Sequence, residues 1–212
     1  MGIARQILQL PFQGMYKIST LGLTCRFNIS RYTMYNEIQA VTKELNFGER
    51  VLSISLSDHL CRVLGFGEQQ IYKANYPEYD VFDLSFEDEE FDCVVSDQVL
   101  EHIKGDPQRA IDETFRVIKR GGLAIHTTCL MMPVHGSPGD YWRFTTSGLE
   151  HLCRNASSIV AVDGWGNPFM PLISGVGLSF APIPDNKWHP MNMLARMNRE
   201  SYHHVVWVVA QK

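Results

Sequence analysis

The stretch Phe91–Thr128, FDCVVSDQVLEHIKGDPQRAIDETFRVIKRGGLAIHTT, most constrains what this chain can become. It reads as a buried strand, a crest of polar residues, a capped helix, a Gly-Gly stop and a second buried strand. Asp106 can accept hydrogen bonds from the unpaired N–H groups of the helix start, and Pro107 suits the first helical position. Ile111, Phe115 and Ile118 share one face. Lys119 and Arg120 sit at the negative end of the helix, which Gly121-Gly122 are expected to break. Two strands joined through a helix run parallel, so this segment is one βαβ unit.

The flanking sequence repeats the alternation. Ile38, Val41 and Leu45 follow helical spacing from Tyr35 to a stop at Asn46-Phe47-Gly48, and Arg50–Leu56 alternates as a strand. Asp58 is placed to cap a short helix through Leu64. Ile71–Ala74, Val81-Phe82, Ile159–Val162 and Val205–Val209 read as further strands, and Ser147–Cys153 as a helix. This pattern is α/β: a mostly parallel seven-stranded sheet with helices on both faces. Residues 1–34 form an N-terminal extension or cap. Residues 35–212 form a single domain, with an insertion at about 164–200 rich in Gly, Pro and Met.

At 212 residues, with 45% hydrophobic and 20% charged content, the chain has the make-up of one globular domain with a sizeable core. A formal charge of -4 argues against nucleic-acid binding, which needs a basic face. No apolar run reaches the roughly 18 residues of a membrane span. The first twenty residues lack the continuous apolar core and small-residue cleavage site of a signal peptide. Gln6 stands where a myristoylation motif requires Ser or Thr. The five cysteines are dispersed, with no CxxC pair, so they are read as small core residues in a reducing cytoplasm and no metal is expected.

In this order of elements, YDVFDLSFEDEEFDCVVSDQVLEHI, then FRVIKRGGLAIHTT, then HGSPGDYWRFT resemble the class I S-adenosylmethionine-dependent methyltransferases, and most of all the methyltransferase domain 11 group. The resemblance runs from about Gly48 to Cys153. It implies a Rossmann-like class I methyltransferase sandwich with S-adenosylmethionine as cofactor. It implies that Asp80 accepts a hydrogen bond from the adenine amino group, with Phe82 and Leu84 beside the ring. Asn75 falls where relatives place an acid for the ribose hydroxyls. Asp97 and Gln98, with Ser96, leave the strand at the crest that lines the methionine part of the cofactor.

The chain departs from the family in its first strand-to-helix turn. Relatives read V-L-D-x-G-x-G; here Ser53, Ser55 and Ser57 replace the Asp and both glycines. Side chains there restrict positive φ and crowd a ligand. The three serines are nevertheless the expected cofactor contacts on that side. The loop His135–Phe144 has the aromatic and ionisable density of a pocket wall, and Tyr141, Trp142 and Arg143 are the expected substrate contacts. Its bland alternative is a packed loop with Arg143 paired to Asp140. His135 is the first candidate base and His126, on an otherwise apolar strand, the second. Glu101-His102 and the run Glu87–Glu90 are read as structural and solvated, respectively.

The resulting expectation is an enzyme that methylates a small-molecule or glycan-like acceptor. One rival is a non-catalytic protein of the same fold that has lost its cofactor and serves as a partner or scaffold. A nicotinamide-dependent oxidoreductase ranks last, because it needs a Gly-rich first turn.

Overall fold

The computed structural model describes residues 2–136 and 139–212; Ser137 and Pro138 of the His135–Phe144 loop lie outside the described residues. In chain order the elements are α1 (Gly2–Ser19), β1 (Cys25–Asn28), α2 (Ile29–Thr42), β2 (Val51–Ile54), α3 (Asp58–Val63), β3 (Ile71–Ala74), β4 (Phe91–Asp97), α4 (Pro107–Val117), β5 (Ile118–Cys129), α5 (Thr146–Leu152), β6 (Ser158–Trp165), α6 (Met170–Gly175), β7 (Pro182–Pro184), α7 (Pro190–Ala195) and β8 (Val205–Gln211).

Two compact units divide the chain. The smaller takes residues 1–36 and 165–204; the larger takes 37–164 and 205–212. In the smaller unit β1 pairs antiparallel with β7. The buried Trp165 ring donates from Nε1 to the Ala195 carbonyl at 2.9 Å. Asn167 donates to the Leu194 and Met197 carbonyls, closing the end of α7.

The larger unit is built on a sheet of order β3-β2-β4-β5-β8-β6. Strands β2, β3, β4 and β5 are parallel and β8 is antiparallel to β5. The chain moves one way across the sheet through α3 and the other way through α4. Parallel crossovers are right-handed as a rule, which puts these helices on opposite faces of the sheet. Leu52, Ile54, Val94, Ile111, Phe115, Ala124, Val206 and Val208 meet in one enclosed core.

The sheet has six strands, not seven. The missing one is Val81-Phe82. Asp80 Oδ1 accepts from the Phe82 N–H at 3.0 Å, and Asp80 and Asp83 form only an isolated bridge. An Asx turn has taken the backbone group that a strand would have used.

The helix of the βαβ unit begins as the sequence indicates. Asp106 Oδ1 accepts from the Gln108 N–H at 2.9 Å with Pro107 in the first turn, a cap that contributes about 1 kcal/mol. Its end differs: α4 stops at Val117, Ile118 is already extended, and Gly121-Gly122 lie within β5. Lys212 accounts for the early stop. Its Nζ donates to the Ile118 carbonyl at 2.7 Å and to that of Arg116 at 3.3 Å, and its backbone pairs with Gly121 and Gly122. Lys119, released from the helix, reaches Asp92 at 2.6 Å.

Candidate active site

Strand order reverses between β2 and β4, and ligands of open parallel sheets sit outside the carboxyl ends of the strands at such a point. There β2 ends early, because Ser55 and Leu56 take φ of +50° and +66°. Side chains in this left-handed region cost roughly 1–2 kcal/mol each. The turn thus keeps a backbone shape that glycine adopts freely, although it holds no glycine.

Surrounding groups hold that shape. The Ser55 N–H donates to the Ala74 carbonyl at 2.9 Å, and the Leu56 N–H donates to Asn75 Oδ1 at 2.9 Å. The buried Ser57 hydroxyl donates to the Ile54 carbonyl and accepts from the Asp97 N–H, the latter at 2.7 Å. Ser53 is fully enclosed in β2, beside Cys61.

The crest closes the other side. Asp97 pairs in register with Thr127, whose hydroxyl donates to Asp97 Oδ1 at 2.7 Å. Gln98, with φ of +57°, donates its N–H to the Thr127 carbonyl at 3.0 Å and its side-chain amide to the Thr127 hydroxyl at 3.3 Å. Ser57, Asp97, Gln98 and Thr127 therefore form one network. Sequence alone does not single out Thr127; its register opposite Asp97 is the signal, and only strand pairing reveals it. Asp80 is exposed and bonds within its own turn.

His126 is buried in the sheet. The Thr114 hydroxyl donates to the Ile111 carbonyl and lies 3.3 Å from His126 Nε2, so Nε2 carries the proton. Nδ1 then accepts from the Ser96 hydroxyl at 2.7 Å. Burial lowers its pKa to about 4, which keeps the ring neutral.

The described part of the His135–Phe144 loop is tied to the short helical turn Leu100–His102. The Glu101 carbonyl accepts from the Tyr141 N–H at 2.7 Å, and the Ile103 carbonyl accepts from Trp142 Nε1 at 3.1 Å. Phe144 enters the core, while Tyr141 and Trp142 remain 49% and 39% exposed. Arg143 grips both oxygens of Asp140. That guanidinium holds the Asp140 carboxyl well below the usual carboxylate range. Asp140 Oδ2 accepts from the His135 N–H at 2.8 Å. The packed-loop pairing and two exposed rings thus coexist. Of the acidic run, Asp88, Glu89 and Glu90 pair with Arg116, Arg120 and Arg50.

Residues 38–126 match the methyltransferase domain family model. Among solved structures, the putative methyltransferase complexed with the Trm112 activator of Haloferax volcanii is 15% identical with a TM-score of 0.55, covering 84% of this chain and 89% of that one. A SAM-dependent methyltransferase from Archaeoglobus fulgidus is 12% identical with a TM-score of 0.52, covering 86% and 95%. The [4+2]-cyclase SpnF is 14% identical with a TM-score of 0.51, covering 99% and 94%. No curated protein matches the chain. Among the described residues, no helix is long and apolar enough to cross a membrane. The matched segment and the sheet order together give this chain a methyltransferase-domain match on a Rossmann-like α/β fold of the kind seen in the SAM-dependent methyltransferase from Archaeoglobus fulgidus.

Proposed function

We propose that this chain transfers the methyl group of S-adenosylmethionine to a small-molecule or glycan-like acceptor. The observation that carries this reading is the left-handed backbone at Ser55 and Leu56. Two successive left-handed residues without a glycine are costly, and strain of this kind concentrates where a ligand is bound.

The residues fit the cofactor by type. Asn75 would hold the ribose hydroxyls and Asp80 the adenine amino group. Asp97 and Gln98 would face the methionine part, with Ser55 and Ser57 shaping the turn beneath it. With a neutral serine in place of the family's aspartate at position 53, Asp97 supplies the negative charge for the cofactor's ammonium group. Ser53 is enclosed and acts through the strand end it supports. When bound, the cofactor supplies an electrophilic methyl group on a sulfonium.

The chain's own work is alignment and exclusion of water. The exposed rings of Tyr141 and Trp142 offer faces for an acceptor. Arg143 acts on the site through Asp140, which fixes the His135 backbone. The Pro133 carbonyl lies 3.0 Å from His135 Nδ1 and requires a proton there, leaving the Nε2 lone pair to take up a proton from the acceptor. His126 is a second candidate base only in its neutral form, and its enclosure points to a role in orienting Ser96 and Thr114. The net charge of -4 favours an uncharged or small acceptor over nucleic acid, and five unpaired thiols suit a cytoplasmic setting.

Calorimetric titration with S-adenosylhomocysteine tests the reading. Binding that weakens at least about tenfold in Asp97→Asn and Asp80→Ala supports it. Absence of heat and of thermal stabilisation at millimolar ligand would overturn it.

A further inference from the structure

Glu101 is fully buried, and among the described residues only one of its carboxylate oxygens is used: Oε2 accepts from the Thr128 hydroxyl at 2.9 Å, while Oε1 has no hydrogen-bond partner among them. A buried, unmatched carboxylate oxygen is costly unless something else meets it. Two histidines stand beside it. One donor atom from each of Glu101, His102 and His135 lies within 4.8 Å of the others, and the two imidazoles meet edge to face at 5.1 Å.

Both rings are fixed by their outer partners. His102 Nδ1 faces the Gly139 carbonyl and His135 Nδ1 the Pro133 carbonyl. A carbonyl only accepts, so each Nδ1 carries the proton and each Nε2 keeps its lone pair. Asp140 Oδ2 lies 3.6 Å from the same His135 nitrogen and is itself clamped by Arg143. An N–H held by a carbonyl or carboxylate, with the opposite nitrogen bare, is the outer arrangement of metal-bound histidine.

We propose that Glu101, His102 and His135 bind one divalent first-row transition metal, of which zinc best suits two imidazoles and a carboxylate. Zinc holds tetrahedral donors about 3.3 Å apart, so binding draws the three groups inward. Three protein ligands leave a fourth position for water or an acceptor hydroxyl oxygen. The cysteine spacings carry no trace of such a site. That fourth ligand, though not the metal itself, rests on the methyltransferase reading: the lone pair of His135 then acts on the cation, and the cation on the acceptor's proton.

The test uses the full chain, stripped with chelator and titrated with zinc and, separately, with cobalt(II). One equivalent should bind, and cobalt should give visible absorption bands of a nitrogen-ligated site. His135→Gln, on a half-exposed loop residue, should weaken binding at least about a hundredfold and abolish the bands while keeping the fold. Glu101→Gln should do the same if it folds. No saturable binding, or binding unchanged in His135→Gln, would overturn the proposal. S-adenosylhomocysteine titrated into the same preparation separates the two readings, since either ligand can fail to bind without the other.

Discussion

The Ser57 hydroxyl joins the ends of the two strands that flank the switch point, accepting from the Asp97 N–H at 2.7 Å while donating to the Ile54 carbonyl. A glycine in the same place makes neither bond. The serine that looks like erosion of a motif is therefore a structural tie. Ser57→Gly, which restores the family residue, should destabilise the protein by about 1–2 kcal/mol, since two hydrogen bonds from a buried hydroxyl are lost. Urea denaturation of the variant against the parent measures this.

Leu56 leads to the opposite expectation. It is 72% exposed and held at φ of +66°, so its side chain contributes little packing and its backbone is strained. Leu56→Gly should stabilise the protein by about 1 kcal/mol, where a glycine in an ordinary strand or helix would destabilise it. A rise in thermal midpoint checks it.

His126 sets a dependence on pH. Its pKa falls from 6.5 to about 4 on burial, so the unfolded chain binds the extra proton first. The contribution of the neutral ring is fully present above pH 6.5 and is lost as pH drops from there to about 4. It amounts to about 3 kcal/mol at the low end. Burial raises the pKa of Glu101, which acts in the opposite sense. The quantity to compare is therefore the difference between the stability profiles of the parent and His126→Gln, which should shrink across that window.

Arg143 grips Asp140 with two nitrogens, and the carboxylate side chain is only 4% exposed. A lysine cannot reproduce that fork. Arg143→Lys should lower stability by about 1–2 kcal/mol, and it should loosen the His135 backbone that Asp140 accepts from. Amide exchange at His135, faster in the variant, reports the second effect separately from the first.

How far the sequence carried follows from which interactions are local. Asp106 and Pro107 announced the start of α4 because a cap is written within three residues. The end of α4 was not legible, since Lys212, far along the chain, takes the carbonyls of Arg116 and Ile118. Val81-Phe82 resembled a strand by residue type, and the Asp80 side chain overrode that preference locally. The pairing of Arg143 with Asp140 was readable from their spacing. The convergence of Glu101 and His102 with His135 was not, because the approach of a short helical turn to a loop over thirty residues later leaves no periodic mark. The left-handed turn was hidden for another reason. Serine and leucine do not advertise positive φ, and only neighbours such as Ala74 and Asn75 impose it.

The central claim is that a turn of serines still receives the cofactor. Isothermal titration of the full chain with S-adenosylhomocysteine measures this most directly, with Asp97→Asn as the matched variant. The expected result is one site of roughly micromolar affinity, near −8 kcal/mol, weakened about tenfold or more in the variant. No heat and no shift in thermal midpoint at millimolar ligand would contradict it.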